Sequence, residues 1–110
     1  MEILKTLSYV GTMEVLFTIC KGKTKFTDIM FETELNPGIL NRLLKTLLAA
    51  GILNKDRDGY HLSDRGAKIV LYTVKILDTE TETPNPDYKL LIQALSDKIE
   101  HQQQQQAGAI

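Results

Sequence analysis

The sequence predicts a mainly α-helical fold of the α+β class, with one small β-hairpin and a separate C-terminal helix. Apolar residues recur at helical spacing through most of the chain, and two short strand-like runs flank a single Asp-Gly turn. A polar, acidic segment with two prolines precedes the last helical stretch. A chain of 110 residues is long enough for one core and a short accessory element.

Composition indicates a globular protein of the cytoplasm. Hydrophobic residues make up 43% and charged residues 25%, and no apolar run approaches the roughly 20 residues that span a bilayer. The first residues lack the cationic region and cleavage site of a signal peptide. The single cysteine, Cys20, allows no intrachain disulfide, and we expect it to be a small buried hydrophobe rather than a redox sensor.

The N-terminal half predicts three helical segments. Residues 2–8 and 13–21 form either two helices or one helix that bends near Gly11. After a lysine-rich stretch, Thr27 is placed to cap a short helix over 28–34. A new helix starts after only two or three further residues. A short helix, a tight turn and a longer amphipathic helix together describe a helix-turn-helix.

The second helix of this pair, 37–50, has well-marked ends. Asn36 is a good N-cap, Pro37 suits the first helical position, and Gly51 can take the left-handed conformation that ends a helix. The apolar face consists of Leu40, Leu43, Leu44, Leu47 and Leu48. The opposite face carries Gly38, Asn41, Arg42 and Lys45.

A β-hairpin and a further helix follow. Residues 52–55 and 60–62 have strand character, and the Asp-Gly pair between them supplies the positive φ of a tight turn. The helix over 64–78 is apolar almost all round, so it must be covered on more than one side. We expect one face to pack on the core, and the other against a second chain or the C-terminal helix.

The C-terminal part predicts a linker over 79–86, a helix over 87–106 capped by Asp87, and a frayed tail over 107–110. The helix has a single apolar stripe and no core of its own, so pairing with a second copy is expected. The alternative is that it folds back onto its own domain. The expected dimer interface comprises Tyr72, Ile76, Tyr88, Leu91, Ile92, Leu95 and Ile99.

Residues 12–70 resemble the winged helix-turn-helix regulators of the HxlR, MarR and ArsR type. The resemblance rests on three stretches in order: the basic-aromatic-threonine run at 25–29, the leucine-rich helix exit at 44–53, and the motif GYHLSDRG at 59–66. It implies a winged helix-turn-helix domain over 1–78. The C-terminal part is similar to that of archaeal winged-helix dimers joined through a terminal coiled coil.

The resemblance implies a homodimer that binds double-stranded DNA and regulates transcription. A helix over 37–50 is about 20 Å long, enough to lie across the major groove. Asn41 and Arg42 are the expected base contacts, and Lys45 is an expected phosphate contact. The full set of expected DNA-binding residues is Lys23, Lys25, Thr27, Gly38, Asn41, Arg42, Lys45, Lys55 and Arg57.

Other functions stay open at this point. One alternative is that the lysine and arginine side chains only form a solvated surface. A net charge of −1 does not by itself indicate a nucleic-acid binder. An architectural DNA binder of chromatin type and a winged-helix module that binds protein are the alternatives. An enzyme is not expected, because the sequence has no Gly-rich phosphate loop, no Cys/His cluster and no nucleophile-base set. We expect no metal, cofactor or small-molecule ligand, and His61 is expected to be packed or solvated.

Overall fold

A computed structural model of the chain describes residues 2–80 and 85–108, with side chains at 5–80 and 85–100. The chain divides into two compact units, Met1–Ser63 and Asp64–Ile110. The first unit contains α1 (Glu2–Leu7), α2 (Thr12–Cys20), α3 (Phe26–Thr33), α4 (Pro37–Ala49), β1 (Leu53–Asp56) and β2 (Gly59–Leu62). The second contains α5 (Asp64–Thr79) and α6 (Pro86–Gly108). This is the mainly helical α+β fold with a small β-wing that the sequence predicts.

The N-terminal segment forms two helices rather than one bent helix. They are separated at Gly11, whose φ of +90° is a conformation that side-chain-bearing residues rarely adopt. A Cβ at Gly11 would lie 3.0 Å from Cδ1 of Leu35. The absence of a side chain at Gly11 therefore allows Leu35, in the turn before α4, to pack closely against it. Val15 and Leu16 of α2 are fully buried and form the centre of the first unit with Ile29 of α3.

The helix α3 begins two residues earlier than the sequence predicts. Its N-cap is Lys25, without a side-chain hydrogen bond, so the prediction that Thr27 caps this helix is wrong. Because α3 already starts at Phe26, Thr27 lies inside the first turn, where its side chain is exposed. The last helical residue is Thr33, and the C-cap, Glu34, takes a left-handed conformation with φ of +57°.

The helix α4 begins where the sequence predicts and ends at Ala49, one residue before the predicted end. The side chain of Asn36 accepts a hydrogen bond of 2.8 Å from the Gly38 N–H. At the other end, Gly51 has φ of +74°, and its N–H donates to Leu48 O at 3.1 Å. The N–H of Ile52 donates to Leu47 O at 3.0 Å. This pair of bonds is a Schellman motif, which ends the helix and turns the chain into β1.

The wing is a two-stranded antiparallel hairpin. Leu53 pairs with Leu62 at its base, and Asp56 pairs with Gly59 at its tip. Only Arg57 and Asp58 lie between the last pair. Gly59 has φ of +125°, which confirms the positive φ that the sequence predicts at this turn.

The second unit is a pair of helices that pack against each other. The helix α6 begins one residue before the predicted start, and its cap is Asn85, whose Oδ1 accepts a hydrogen bond of 2.9 Å from the Asp87 N–H. The prediction that Asp87 is the cap is therefore wrong. The helix continues to Gly108, past the predicted end at 106. Half of the predicted linker, 81–84, and the last two residues lie outside the described part of the chain.

In the second unit, α6 packs against α5 of the same chain. Leu91 and Leu95 of the predicted dimer stripe are buried within one copy, and Tyr88, Ile92 and Ile99 are half-buried. No helix in the described residues has the length and apolarity to cross a membrane.

Candidate nucleic-acid interface

The outward face of α4 is polar and solvent-exposed. Four leucines on the opposite face are buried and hold the helix in the first unit: Leu40, Leu43, Leu44 and Leu47. Burying each of them stabilises the fold by about 1.5–3 kcal/mol. The orientation of α4 is therefore set by packing, and its exposed residues include Gly38, Asn41, Arg42 and Lys45.

Three of these residues have hydrogen-bonding side chains without a partner in the described part of the chain. Among the described residues, no hydrogen bond or ion pair involves the side chains of Asn41, Arg42 or Lys45. An amide, a guanidinium and an ammonium group are thus presented on one side of a 13-residue helix. At about 1.5 Å per residue the helix is about 20 Å long, which suits the major groove.

Gly38 and Thr27 have a different chemical environment from these three. The N–H of Gly38 is already donated to the side chain of Asn36, so it is not a spare donor at the start of α4. Thr27 has an exposed side chain in the first turn of α3. A hydroxyl in this position suits a phosphate contact better than a base contact.

The lysine-rich segment before α3 is attached to the wing. The N–H of Tyr60 donates a hydrogen bond of 2.8 Å to the Thr24 carbonyl, and the Thr24 hydroxyl donates to Asp58 O at 3.0 Å. The side chains of Lys23 and Lys25, on either side of Thr24, are exposed. The structure thus brings these two lysines to the same hairpin that carries the predicted wing contacts.

Sequence reasoning missed this attachment. It links positions more than 30 residues apart, and no local periodicity reports such a contact. Lys23, Thr24 and Lys25 are all polar, so they give no apolar–polar alternation from which a paired segment could be predicted. Thr24 is therefore a positioning residue that the sequence analysis did not identify.

Lys55 is held along the wing by an aromatic ring. It is the cross-strand partner of Tyr60, and its Nζ lies 5.2 Å from the centroid of that ring. Tyr60 is buried, while Lys55 is exposed, so the lysine stem covers the ring and its ammonium group stays in solvent. Arg57, in the loop at the tip, is exposed and has no ion-pair partner in the described residues.

The acidic residue at the wing tip is engaged in the turn. The carboxylate of Asp56 accepts hydrogen bonds from the N–H groups of Asp58 at 2.8 Å and Gly59 at 3.2 Å, and its Oδ1 lies 3.0 Å from Nε2 of His61. Desolvation raises the pKa of Asp56, but the Asp58 N–H and the contact with His61 outweigh it, so the pKa is lowered overall. His61 contacts this carboxylate from a half-buried position.

The predicted dimer residues belong to the second unit and are divided by burial. Tyr72 and Ile76 of α5 are 59% and 62% exposed, whereas Leu91 and Leu95 of α6 are buried. Of the predicted dimer residues that the structure describes, only these two α5 residues are therefore more than half exposed. The described residues contain no group of three His, Cys, Asp or Glu side chains with the geometry of a metal site.

Comparison with known proteins identifies a family for the greater part of the chain. The family described as winged helix-turn-helix matches residues 2–81. A search of curated proteins gives no match. Among solved structures, the chain is similar to an O-methyltransferase (NcsB1) from neocarzinostatin biosynthesis in complex with S-adenosyl-L-homocysteine. That match has 17% identity and a TM-score of 0.42, and it covers 87% of this chain and 46% of the enzyme, about half of its length.

Proposed function

We propose that this chain, which belongs to the winged helix-turn-helix family, is a homodimeric, sequence-specific regulator of transcription. Membership of the family supports DNA as a partner. The observation that carries the proposal is the outward face of α4, where Asn41, Arg42 and Lys45 are exposed and have no partner among the described residues. The role is one of binding and not of catalysis.

In the proposed complex α4 lies in the major groove. The Asn41 amide has both a donor and an acceptor, which matches the N6 and N7 edge of adenine. The Arg42 guanidinium has paired donors, which match O6 and N7 of guanine. Lys45 lies one turn further along from Asn41 and supplies a charge to a phosphate.

The wing and its attached segment supply the remaining phosphate contacts. Lys55 and Arg57 on the hairpin are exposed, as are Lys23 and Lys25 on the segment that Thr24 connects to it. Because the Tyr60–Thr24 hydrogen bond joins the two pieces, these four cations approach the DNA backbone together. Such contacts set the position of α4 without reading the sequence.

Dimerisation supplies the affinity that one copy lacks. One chain has a net charge of −1, and the proposed interface has only two base-reading side chains. Two copies would double both sets of contacts and place two α4 helices in successive major grooves, about 34 Å apart. Tyr72 and Ile76 are the apolar side chains of α5 that are free to form such an interface.

The same fold can also bind protein, and one residue favours that second candidate. Phe31 on α3 is 81% exposed, and its neighbour Glu32 is exposed as well. The exposed aromatic ring is available to an apolar side chain of a protein partner, whereas the carboxylate beside it would repel a phosphate. An architectural, weakly specific DNA binder is distinguished from a regulator by sequence preference alone.

Selection of bound duplexes from a random pool tests the proposed function most directly. A specific dimeric regulator should enrich a palindromic sequence whose half-sites are one helical turn apart. An architectural binder should retain duplexes without an enriched sequence. The matched control is the double variant Asn41→Ala, Arg42→Ala, which should lose the enrichment and retain the wing contacts.

Salt dependence separates DNA binding from protein binding. The affinity for a duplex should fall steeply between 50 and 200 mM salt, because each phosphate contact contributes roughly −0.9 to the slope of log K against log salt. Absence of binding to any duplex at low salt would contradict both DNA-binding hypotheses and leave the protein-binding candidate.

A further inference from the structure

A groove lies beside the proposed DNA-reading face, between α4 and the loop that joins α1 to α2. Its volume is about 390 Å³. The residues that line it are Tyr9, Val10, Ile39, Arg42, Leu43 and Thr46. Volumes of roughly 300–1,000 Å³ are typical of sites for small molecules. The sequence indicated no small-molecule ligand, because the two sides of this groove are about 30 positions apart in the chain.

The apolar lining of the groove is left in contact with solvent. Val10 is 89% exposed, Ile39 is 47% exposed and Tyr9 is 43% exposed. Among the side chains that the structure describes in the first unit, Phe31 is the one exposed large hydrophobic residue that lies elsewhere. A concentration of exposed apolar side chains around one concave surface indicates a binding site rather than scattered surface residues.

The charge of the groove indicates an anionic ligand. Among the described residues that line the groove, Arg42 is the only charged one, and none carries a carboxylate. Its guanidinium has no ion-pair partner in the described part of the chain. A guanidinium at the edge of an apolar groove is complementary to a carboxylate attached to an apolar body.

We propose that this groove binds a small apolar monocarboxylate, with its carboxylate on Arg42 and its apolar part against Val10 and Ile39. The bound acid would also regulate DNA binding, and this regulatory role rests on the proposed function. Arg42 is also the proposed reader of guanine, and one guanidinium cannot form a bidentate pair with a carboxylate and a base together. The bound acid therefore weakens sequence-specific DNA binding.

The ligand site is tested on the full chain without DNA, with 2-naphthoate as the probe. Titration followed by backbone amide NMR should shift the signals of residues 9, 10, 39 and 42. The neutral alcohol 2-naphthylmethanol should bind at least tenfold more weakly, because it lacks the carboxylate. The variant Arg42→Gln should lose at least tenfold in affinity for 2-naphthoate. The variant Lys89→Gln, which removes an exposed cation on α6, should bind it as the parent does.

Three results would overturn the ligand site: no shifts at millimolar 2-naphthoate, equal affinity of the acid and the alcohol, or shifts confined to other surfaces. DNA binding is then measured separately, with and without 2-naphthoate. A duplex affinity that is unchanged at saturating acid overturns the regulatory part only. A chain that binds 2-naphthoate but no duplex retains the site and contradicts the proposed function, so the two failures are distinguishable.

Discussion

The backbone N–H of Tyr60 donates a 2.8 Å hydrogen bond to the carbonyl oxygen of Thr24. This bond joins the wing to the segment before the helix-turn-helix. It places Lys23 and Lys25 beside the hairpin that carries Lys55 and Arg57, and all four cations are exposed. The two segments that carry the proposed phosphate contacts are thus joined by a backbone hydrogen bond and are not independent loops.

Gly59 makes this close approach possible, and we predict that Gly59→Ala disrupts it. A Cβ at this position would contact the Thr24 carbonyl at less than van der Waals distance, and φ is +125°. The strain and the clash with backbone together should lower the free energy of unfolding by about 2–4 kcal/mol. Urea unfolding of the variant and the parent gives this difference.

The matched control is Gly22→Ala. Gly22 has φ of +99°, and no described atom beyond its chain neighbours lies within 4 Å of an added Cβ. The variant Gly22→Ala should therefore lower the free energy of unfolding through backbone strain alone, by about 1 kcal/mol. If Gly59→Ala were no more destabilising than Gly22→Ala, the contact between the wing and Thr24 would not constrain position 59.

Asp56 should make the wing sensitive to acid. Its pKa is lowered in the folded protein, where desolvation is outweighed by the hydrogen bonds from the Asp58 N–H and His61. The folded state therefore binds this proton more weakly than the unfolded chain does. The stabilising contribution is present at neutral pH and is lost as the pH falls through the pKa of the folded carboxyl.

NMR titration of the Asp56 carboxyl checks this direction against a short, unstructured peptide of residues 53–62. The midpoint should be lower in the protein than in the peptide. Asp56→Asn keeps an oxygen that can accept from the Asp58 N–H, so it should retain the turn and remove this pH dependence. A midpoint equal to or above that of the peptide would show that the hydrogen bonds do not outweigh desolvation.

Arg42 and Lys45 should affect DNA binding in different ways. Arg42→Ala should cost roughly 1–3 kcal/mol for the selected site and relax the preference at one base pair in each half-site. Lys45→Gln should weaken binding to all duplexes alike and reduce the salt slope by about one per protomer. Titrations of matched and mismatched duplexes at several salt concentrations separate the two effects.

The exposed cation Lys89 on α6 provides the control, because Lys89→Gln lies outside the proposed interface and should leave both quantities unchanged. Should Arg42→Ala weaken matched and mismatched duplexes equally, Arg42 would be a phosphate contact and not a reader of bases.

The proposed dimer should depend on the exposed face of α5. Tyr72 and Ile76 lie one turn apart and are more than half exposed, so charged substitutions there should leave the chain folded. The double variant Tyr72→Glu, Ile76→Glu should weaken the dimer at least tenfold, because burying two carboxylates without partners is unfavourable. Sedimentation equilibrium measures the change.

A control substitution on α6 tests where the proposed dimer interface lies. Leu90 is 69% exposed and is not among the predicted interface residues, so Leu90→Glu should leave the dimer intact. Dissociation by Leu90→Glu alone would move the interface from α5 to the outer side of α6. A chain that is monomeric before any substitution would contradict the proposed dimer altogether.

The elements of this fold were predictable wherever their causes are local. Asn36, Pro37 and Gly51 specify the ends of α4 through capping interactions within a few residues, and the structure has those interactions. The hairpin was predictable for the same reason, because Gly59 supplies the positive φ of its turn. The errors at Thr27 and Asp87 are also local, since another residue close before each of them provides the cap.

The sequence by itself determined the order of the helices, the wing and the polar face of α4, because periodicity and capping act over one or two turns. The tertiary structure decided which separate segments meet. It placed Thr24 against Gly59 and Tyr60, and it placed Tyr9 and Val10 beside Arg42. The energy of such contacts comes from packing across 30 or more positions, and no local pattern encodes which of the possible pairs will form.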